Sequence, residues 1–292
     1  MSETASAGVN ASGAILLGVM GDPIGHSKSP LMQEAALRAL GISGAYVPLH
    51  VTPDKLGEAV QAIRILGFRG VNVTIPHKVA VMEYMDHLDE SALSVGAVNT
   101  VVNDGGVLTG YNTDGIGYVR SLKAEAIADL SGARILVIGA GGAARGIVTS
   151  LLQENPASIV IANRNAAKAV ELAAECRTKG KVKGISLAEM PAELQGIQVV
   201  INTTSVGMYP HTDETPLDPS LLHEGMVVSD LIYNPLRTRL LTESLERGCR
   251  IHGGLGMFIY QGAYALEYWT GRPAPIDVMR SSMLETQDSS SI

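Results

Sequence analysis

The chain has 292 residues, 46% of them hydrophobic and 17% charged, which is enough apolar material for two domains with buried cores. Its net charge of −7 argues against nucleic acid or an anionic membrane as the main partner, because both would favour a basic surface. Cys176 and Cys249 lack the spacing of a disulfide framework or a metal site, which favours a cytoplasmic protein without a bound metal. We expect residues 1–12 and 287–292 to be disordered tails, and no apolar run reaches the roughly 18 residues that span a bilayer.

Strand-like apolar runs alternate with helical patterns through the first part of the chain. The pairs are 14–21 with 30–40, 45–51 with 53–66, and 70–75 with 77–85. Such alternation predicts a mostly parallel sheet covered by helices. The pattern changes near residue 97, where runs at 97–102 and 107–111 flank Asn103-Asp104-Gly105-Gly106. That sequence predicts a hairpin and therefore an antiparallel edge on the sheet.

A second group of elements follows a helix predicted at 115–128. Strands are predicted at 134–138, 158–162, 199–202 and 226–231, and an apolar helix at 257–270 follows Gly253-Gly254-Leu255-Gly256. We therefore expect an α/β protein with an N-terminal mixed-sheet domain at 13–114 and a second α/β domain at 115–253. Helices at 254–286 would return to the first domain, and a ligand cleft would lie between the two.

The strand predicted at 134–138 runs directly into Gly139-Ala140-Gly141-Gly142-Ala143-Ala144, which fits the dinucleotide pattern G-x-G-x-x-A. The glycines permit a tight turn and a close approach of the backbone to a pyrophosphate, and the N-terminus of the next helix offers oriented N–H groups. A plain strand-to-helix turn, or a site for another nucleoside such as a methyl donor, is the alternative.

The strand predicted at 158–162 is followed by Asn163-Arg164-Asn165. In NAD-selective versions of the fold, an Asp or Glu at this point accepts hydrogen bonds from the ribose 2′-hydroxyl. Asn163 and Arg164 would instead attract a 2′-phosphate, so the sequence predicts NADP. We therefore expect 115–253 to be a Rossmann-type NADP-binding domain and 13–114 to be the substrate domain. On its own, Arg164 would be interpreted as a solvated side chain at the end of a strand.

Two serines lie in the loop that links the first strand to the first helix. Ser27 and Ser29 precede Pro30, a residue suited to the first turn of a helix, and hydroxyls beside exposed N–H groups suit a carboxylate ligand. The alternative is capping, with Ser29 as the N-cap and Ser27 as a turn residue.

Lys78 and Asp114 are the candidates for acid–base chemistry. Lys78 falls in the first turn of the helix predicted at 77–85, where the dipole disfavours the ammonium form and an acidic neighbour could orient a general base. Asp114 is the proposed neighbour. The alternatives are an exposed surface lysine and an N-cap aspartate, and Asn99 could contact a hydroxyl or close a turn.

Several unrelated motifs occur together in order: GDPIGHSKSP, NVTIPHK, AVNT, YNTDG, GAGGAARG, NR, NTTSVGM, DLIYNP and GGLGMFIYQGA. Together they resemble the shikimate dehydrogenase family over nearly the whole chain between the tails. The resemblance implies reversible NADP-dependent reduction of 3-dehydroshikimate to shikimate, in the route to aromatic amino acids. The hydride would transfer at carbon 3, with Lys78 and Asp114 as the catalytic pair that manages the hydroxyl proton.

The resemblance also implies binding roles for particular residues. The substrate carboxylate would be bound by Ser27 and Ser29, and the substrate side would be completed by Asn72, Thr74, Asn99, Tyr233 and Gln261. The cofactor would be bound by Gly139, Ala140, Gly141, Gly142, Ala143, Asn163, Arg164, Lys168, Thr203, Ser205, Val206, Met208, Gly254 and Met257.

Lys168 departs from the family pattern, because many members carry a second arginine there. The charge is kept but the planar fork is lost, which leaves the strength of the NADP preference open. One alternative is a quinate/shikimate dehydrogenase that also uses NAD; another is a catalytically silent NADP-binding module on the same fold. We expect a monomer or a homodimer.

Overall fold

The computed structural model describes residues 13–288, and their contacts divide into two compact units. One unit comprises the residues up to Thr113 together with those from Gln261 onward, and the other is Asp114–Tyr260. The domain limits given above stay predictions. Residues 1–12 and 289–292, expected as tails, lie outside the described residues, whereas 287 and 288 are helical.

Strands and helices alternate along most of the chain. The strands are β1 (Ile15–Gly21), β2 (Gly44–His50), β3 (Gly70–Val73), β4 (His87–Leu88), β5 (Thr100–Asp104), β6 (Val107–Tyr111), β7 (Arg134–Ile138), β8 (Ser158–Asn163), β9 (Val182–Ser186), β10 (Val199–Asn202), β11 (Val227–Asp230) and β12 (Arg250–His252). The α-helices are α1 (Ser29–Ala39), α2 (Leu56–Ile65), α3 (Glu90–Val95), α4 (Asp114–Glu125), α5 (Gly142–Leu152), α6 (Ala166–Cys176), α7 (Met190–Glu193), α8 (Arg239–Glu246), α9 (Gly254–Thr270) and α10 (Ile276–Asp288).

Within residues 13–288, no helix combines the length and apolar character needed to cross a membrane. The same residues contain no cluster of His, Cys, Asp and Glu that could hold a metal ion.

The first unit contains a mixed sheet with the strand order β2-β1-β3-β5-β6-β4. The strand β1 pairs in parallel with β2 and β3, whereas β5 runs antiparallel to β3 and β6. Gly105 and Gly106 form the turn of the β5–β6 hairpin, both with positive φ, as a two-residue turn of this type requires. The predicted hairpin is confirmed, but the two-residue strand β4 lies outside it at the edge of the sheet.

The prediction of an α-helix at 77–85 is wrong. A turn covers 75–79 and is followed by a 3-10 helix, Ala80–Tyr84. The carbonyl of Lys78 accepts a hydrogen bond from Val98 N–H at 2.8 Å. In an α-helix it would accept from Met82 N–H, which here donates to the carbonyl of Val79 instead. Since Lys78 is not in the first turn of an α-helix, the dipole argument for its basicity does not apply.

The second unit contains a parallel sheet with the strand order β12-β11-β10-β7-β8-β9. The chain starts in the middle at β7, moves outward through β8 and β9, and then returns to the other side through β10. Apolar clusters pack on both faces of the sheet, as parallel strands require. The direction of winding reverses between β7 and β10, and in such folds ligands bind at the carboxyl ends of the strands at this point.

Candidate active site

The loop after β1 brings Ser27 and Ser29 together at the start of α1. Ser29 N–H donates to Ser27 Oγ at 3.3 Å, so Ser27 satisfies a backbone donor of the first helical turn. The N-cap position is Lys28 and has no side-chain capping bond, and Ser29 is the first helical residue. Ser29 is therefore not the N-cap, which was the alternative considered for it.

A buried hydrogen-bond network connects Ser29 to the strands of the sheet through Tyr46 and Asn72. Tyr46 on β2 is fully enclosed and donates from its hydroxyl to Asn72 Oδ1 at 2.7 Å. Burial raises the pKa of Tyr46, and a hydrogen bond with Ser29 works against that rise. The phenol therefore stays neutral and can donate, and its ring lies 6.1 Å from that of Trp269.

The Asn72 amide continues this network to β5. Its Nδ2 donates to the carbonyl of Asn99 and to Thr100 Oγ1, both at 3.1 Å. Asn99 Oδ1 accepts from Thr113 N–H at 2.8 Å and from Thr100 Oγ1 at 3.0 Å. Both amides are buried and held by several bonds, so their orientations are fixed by the protein.

Thr74 and Lys78 lie in the segment that follows β3, Thr74 directly before the turn at 75–79 and Lys78 within it. Thr74 N–H donates to the carbonyl of Met20, and a Cβ on Gly21 would come within 2.5 Å of Thr74 Cγ2. A side chain at 21 would thus displace Thr74. Lys78 is half-buried rather than an exposed surface lysine, and Gln261, also half-buried, lies in the part of α9 that belongs to this unit.

The glycine-rich turn lies at the reversal point of the second sheet. Gly139 follows β7 with a φ of 114°, and a Cβ there would lie 2.3 Å from Thr203 Oγ1, which follows β10. Ala140 comes next, and Gly141 is the N-cap of α5, whose first residues are Gly142 and Ala143. A Cβ on Gly141 or Gly142 would meet nothing within 4 Å, so a ligand has room to approach the backbone.

Asn163 and Arg164 lie where β8 ends and α6 is about to begin. Asn163 Nδ2 donates to the carbonyl of Asn165, whose side chain caps α6 by accepting from Ala167 N–H. Arg164 is exposed, as is Lys168 in the first turn of α6. Two cations and a helix N-terminus are thus gathered at this strand end, which suits a phosphate group.

The loop after β10 carries Thr203, Ser205, Val206 and Met208. Thr203 donates from N–H and Oγ1 to the carbonyl of Ile138, which joins this loop to the end of β7. Val206 N–H donates to Thr204 Oγ1, and Met208 is 44% exposed at the end of the loop. The side chains predicted for the nicotinamide half are therefore carried by a turn fixed to the central strands.

Asp230 is a supporting residue that the sequence analysis missed. It is buried at the end of β11 and accepts from Asn202 Nδ2 at 3.1 Å, Ile232 N–H at 3.1 Å and Thr238 Oγ1 at 2.8 Å. Burial raises the pKa of Asp230 to about 6, although these three donors oppose the rise. The carboxyl thus ties together the β10 and β11 loops, and its place at the end of a predicted buried strand was the available signal.

The remaining candidates of the second unit lie at helix starts and in one loop. Asp114 is the first residue of α4, one position earlier than predicted. The Tyr233 ring lies 5.5 Å from that of Phe258, and Gly254 begins α9. A Cβ on Gly254 would lie 2.1 Å from the carbonyl of Leu231, so only glycine fits there. Met257 lies in the first turn of α9 and is half-buried.

Comparison with known families gives matches along most of the chain. Residues 19–101 match the shikimate dehydrogenase substrate binding domain, 121–214 match shikimate / quinate 5-dehydrogenase, and 254–284 match the shikimate 5′-dehydrogenase C-terminal domain.

Individual relatives agree with this assignment. A shikimate dehydrogenase (NADP(+)) from Geobacillus kaustophilus is 47% identical over 268 residues, covering 92% of this chain and 97% of that protein. A crystal structure of shikimate dehydrogenase with NADP+ is 40% identical, with a TM-score of 0.87, and the match covers 95% of this chain and 97% of the other. The Thermus thermophilus enzyme with NADP(H) and shikimate is 33% identical, with a TM-score of 0.82 and coverages of 92% and 98%.

Proposed function

The chain belongs to the shikimate dehydrogenase family, and from that premise we propose that it reversibly reduces 3-dehydroshikimate to shikimate with NADPH. It is an alcohol oxidoreductase of aromatic amino-acid biosynthesis. The observation that carries the proposal is the glycine turn at the reversal point of the parallel sheet, with Arg164 after the neighbouring strand. That arrangement suits a phosphorylated dinucleotide, and the matched family supplies the substrate.

The residues of the second unit fit NADP. The open space above Gly141 and Gly142 admits a pyrophosphate, and the N-terminus of α5 offers N–H groups to it. Arg164, Asn163 and Lys168 would hold the 2′-phosphate, since β8 ends in an amide rather than an acid. A dinucleotide held by these residues would supply the hydride acceptor for oxidation of the alcohol carbon and, in its reduced form, the hydride donor for the reverse reaction.

In the first unit, Ser27 and Ser29 would bind the substrate carboxylate. Asn72, Thr74, Asn99 and Gln261 would bind its hydroxyls, and Tyr233 of the second unit would complete the substrate side. The network through Tyr46 supports this proposal, because it fixes Ser29 and the Asn72 amide before substrate arrives. Groups held in this way lose little conformational entropy on binding, which favours orientation of the reacting carbon.

Lys78 and Asp114 would manage the hydroxyl proton. In shikimate oxidation, the oxygen on carbon 3 would give its proton to Lys78 Nζ while the carbon loses its hydride to the bound cofactor, and a C=O bond forms. In the reduction, Lys78 returns the proton to the developing alkoxide. Asp114 would orient the Lys78 amine, as a positioned acid–base group requires.

We also propose a location, an oligomeric state and a preference for substrate and cofactor. The enzyme would act in the cytoplasm as a monomer or homodimer, on a small-molecule substrate. The family description matched by 121–214 names quinate besides shikimate, so a quinate/shikimate dehydrogenase that tolerates NAD is the second candidate. Lys168 in place of an arginine favours a weaker preference for NADP, whereas Arg164 and the lack of an acid at the end of β8 favour the first candidate.

Steady-state rates with shikimate and quinate, each with NADP and NAD, test the proposal. We expect the highest kcat/KM for shikimate with NADP. A higher value for quinate, or equal values for the two cofactors, would support the second candidate, and no turnover with any pair would identify a silent binding module.

A further inference from the structure

The imidazole of His252 is enclosed between two serine hydroxyls in the second unit. Its Nε2 lies 2.7 Å from Ser121 Oγ and its Nδ1 lies 2.8 Å from Ser229 Oγ. Tyr118 donates to the same Ser229 oxygen at 2.9 Å. The side chain of His252 is 0% exposed, so the ring meets protein groups and cannot meet a ligand.

These contacts join elements that carry proposed site residues. Tyr118 and Ser121 lie on α4, which begins with Asp114. His252 ends β12, two residues before Gly254 begins α9. The imidazole therefore connects the helix that bears Asp114 to the strand that leads into the first turn of α9.

Close packing also holds α4 at two places, one against α9 and one against α5. A Cβ on Gly256 would lie 1.9 Å from Ser121 Oγ, so the first turn of α9 lies directly against α4. A Cβ on Gly115 would lie 2.3 Å from the carbonyl of Gly146, so the start of α4 lies directly against α5. Both faces of α4 are thus in contact, and the Ser121–His252 hydrogen bond is a polar link between this helix and β12. Since Ser121 Oγ donates to Glu125 Oε1 at 3.3 Å, it accepts from the Nε2–H of His252.

We propose that His252 is a positioning residue, which holds α4, and therefore Asp114, in register with the first turn of α9. This inference rests on the proposed function only in giving Asp114 a role in proton transfer. Misplacement of a reacting group by about 1 Å can lower turnover by roughly a hundredfold, whereas the pyrophosphate turn and Arg164 lie on other elements. Loss of the Ser121 bond should therefore lower kcat by a larger factor than NADPH affinity, to which Gly254 and Met257 of the adjoining turn of α9 would contribute.

Two substitutions of His252 separate its hydrogen bond to Ser121 from its hydrogen bond to Ser229. The amide of His252→Gln reaches close to the place of Nε2 and can keep the bond to Ser121, whereas the amide of His252→Asn reaches close to the place of Nδ1 and can keep only Ser229. We expect His252→Asn to lower kcat by roughly tenfold to a hundredfold and His252→Gln to restore most of it. Ser121→Ala removes the same bond from the other side, together with the bond from Ser121 to Glu125 within α4. It should reproduce His252→Asn, with little further loss in the double variant.

Ser244→Ala is the matched control, because it deletes another buried serine hydroxyl of this unit, bonded to the carbonyl of Leu240 on α8. It should change thermal stability without changing kcat. Amide hydrogen exchange is the second readout and needs no substrate. In His252→Asn and Ser121→Ala, exchange of α4 amides should be roughly fivefold to tenfold faster, as loss of one hydrogen bond implies, with α6 unchanged.

The two hypotheses fail separately. An inactive wild-type protein would refute the proposed function, while the exchange measurement would still test the positioning role. The positioning role is refuted if His252→Asn and Ser121→Ala keep wild-type kcat and wild-type exchange in α4. It is also refuted if His252→Gln loses as much turnover as His252→Asn, because the bond to Ser121 would then not be the decisive link.

Discussion

The buried carboxyl of Asp230 should make the folded protein less stable as the pH rises from about 4 to 7. Its pKa is raised from 3.8 to about 6, chiefly by burial. Between these two values the folded state keeps a proton that the unfolded state has released. The free energy of unfolding then falls with increasing pH, because the folded state binds more protons.

The size of the effect follows from the difference of about two units between the folded-state and unfolded-state pKa of Asp230. At about 1.4 kcal/mol per unit, the loss is about 3 kcal/mol once the pH exceeds the folded-state pKa. About 2 kcal/mol of this falls between about pH 4.5 and 7.5, since part of the titration precedes that window. Asp230→Asn cannot titrate, and its amide oxygen can still accept from Asn202 and Ile232. The substitution also weakens other contacts of the Asp230 side chain, which changes the free energy of unfolding by an amount that does not vary with pH.

Urea unfolding of the wild type and of Asp230→Asn across this pH range measures the difference directly. The variant should gain stability relative to the wild type as the pH rises, by about 2 kcal/mol in total. Asp218→Asn is a control that should show no trend in this range, because bonds from Ser220 lower the pKa of this exposed carboxyl and its titration lies below the range in both states. A difference between wild type and Asp230→Asn that is constant with pH would refute the reasoning, since the three donors would then outweigh burial.

Further predictions concern the cofactor, the substrate carboxylate and the proton. Arg164→Ala should raise KM for NADP tenfold to a hundredfold with little change for NAD, because a charge-assisted bond of about 1.5 to 3 kcal/mol is lost; equal losses with both cofactors would contradict it. Ser27→Ala combined with Ser29→Ala should raise KM for shikimate while NADPH affinity, measured by fluorescence, stays unchanged; unfolding of the double variant would indicate a capping role instead. Lys78→Ala and Asp114→Asn should each lower kcat by roughly a hundredfold to ten-thousandfold, with the double variant little worse; multiplicative losses would show that the two act separately.

Strands with strong local signals were predicted residue for residue. Arg134–Ile138 and Val199–Asn202 are buried in the middle of a parallel sheet, where continuous apolar runs are needed. Val107–Tyr111 was equally clear, because Gly105 and Gly106 mark the hairpin turn before it. The fold class could therefore be predicted from local patterns.

Elements that depend on distant partners could not be predicted in this way. The outer strands Val182–Ser186 and Arg250–His252 are mixed in polarity and exist through pairing with one neighbour. The segment 77–85 has an apolar helical pattern, but a bond from Val98 to the carbonyl of Lys78 interrupts it. Local propensity is overridden by tertiary contacts in these cases.

The supporting residues of the candidate site were missed for the same reason. Thr100 supports the predicted site residue Asn72, because β3 and β5 pair in a register that places these two residues opposite each other. Nothing in the local sequence around Tyr46 indicates its bond to Asn72, 26 positions away. Motifs identify residues that touch ligands, whereas the side chains that hold them become visible only with the strand order.

The most direct test of the proposed reaction follows one hydrogen atom. Shikimate carrying deuterium at carbon 3 is incubated with the protein and NADP, and the nucleotide product is examined by mass spectrometry. We expect NADPH that contains one deuterium, together with 3-dehydroshikimate without the label. Unlabelled NADPH, or a reduced nucleotide that forms only with NAD, would contradict it.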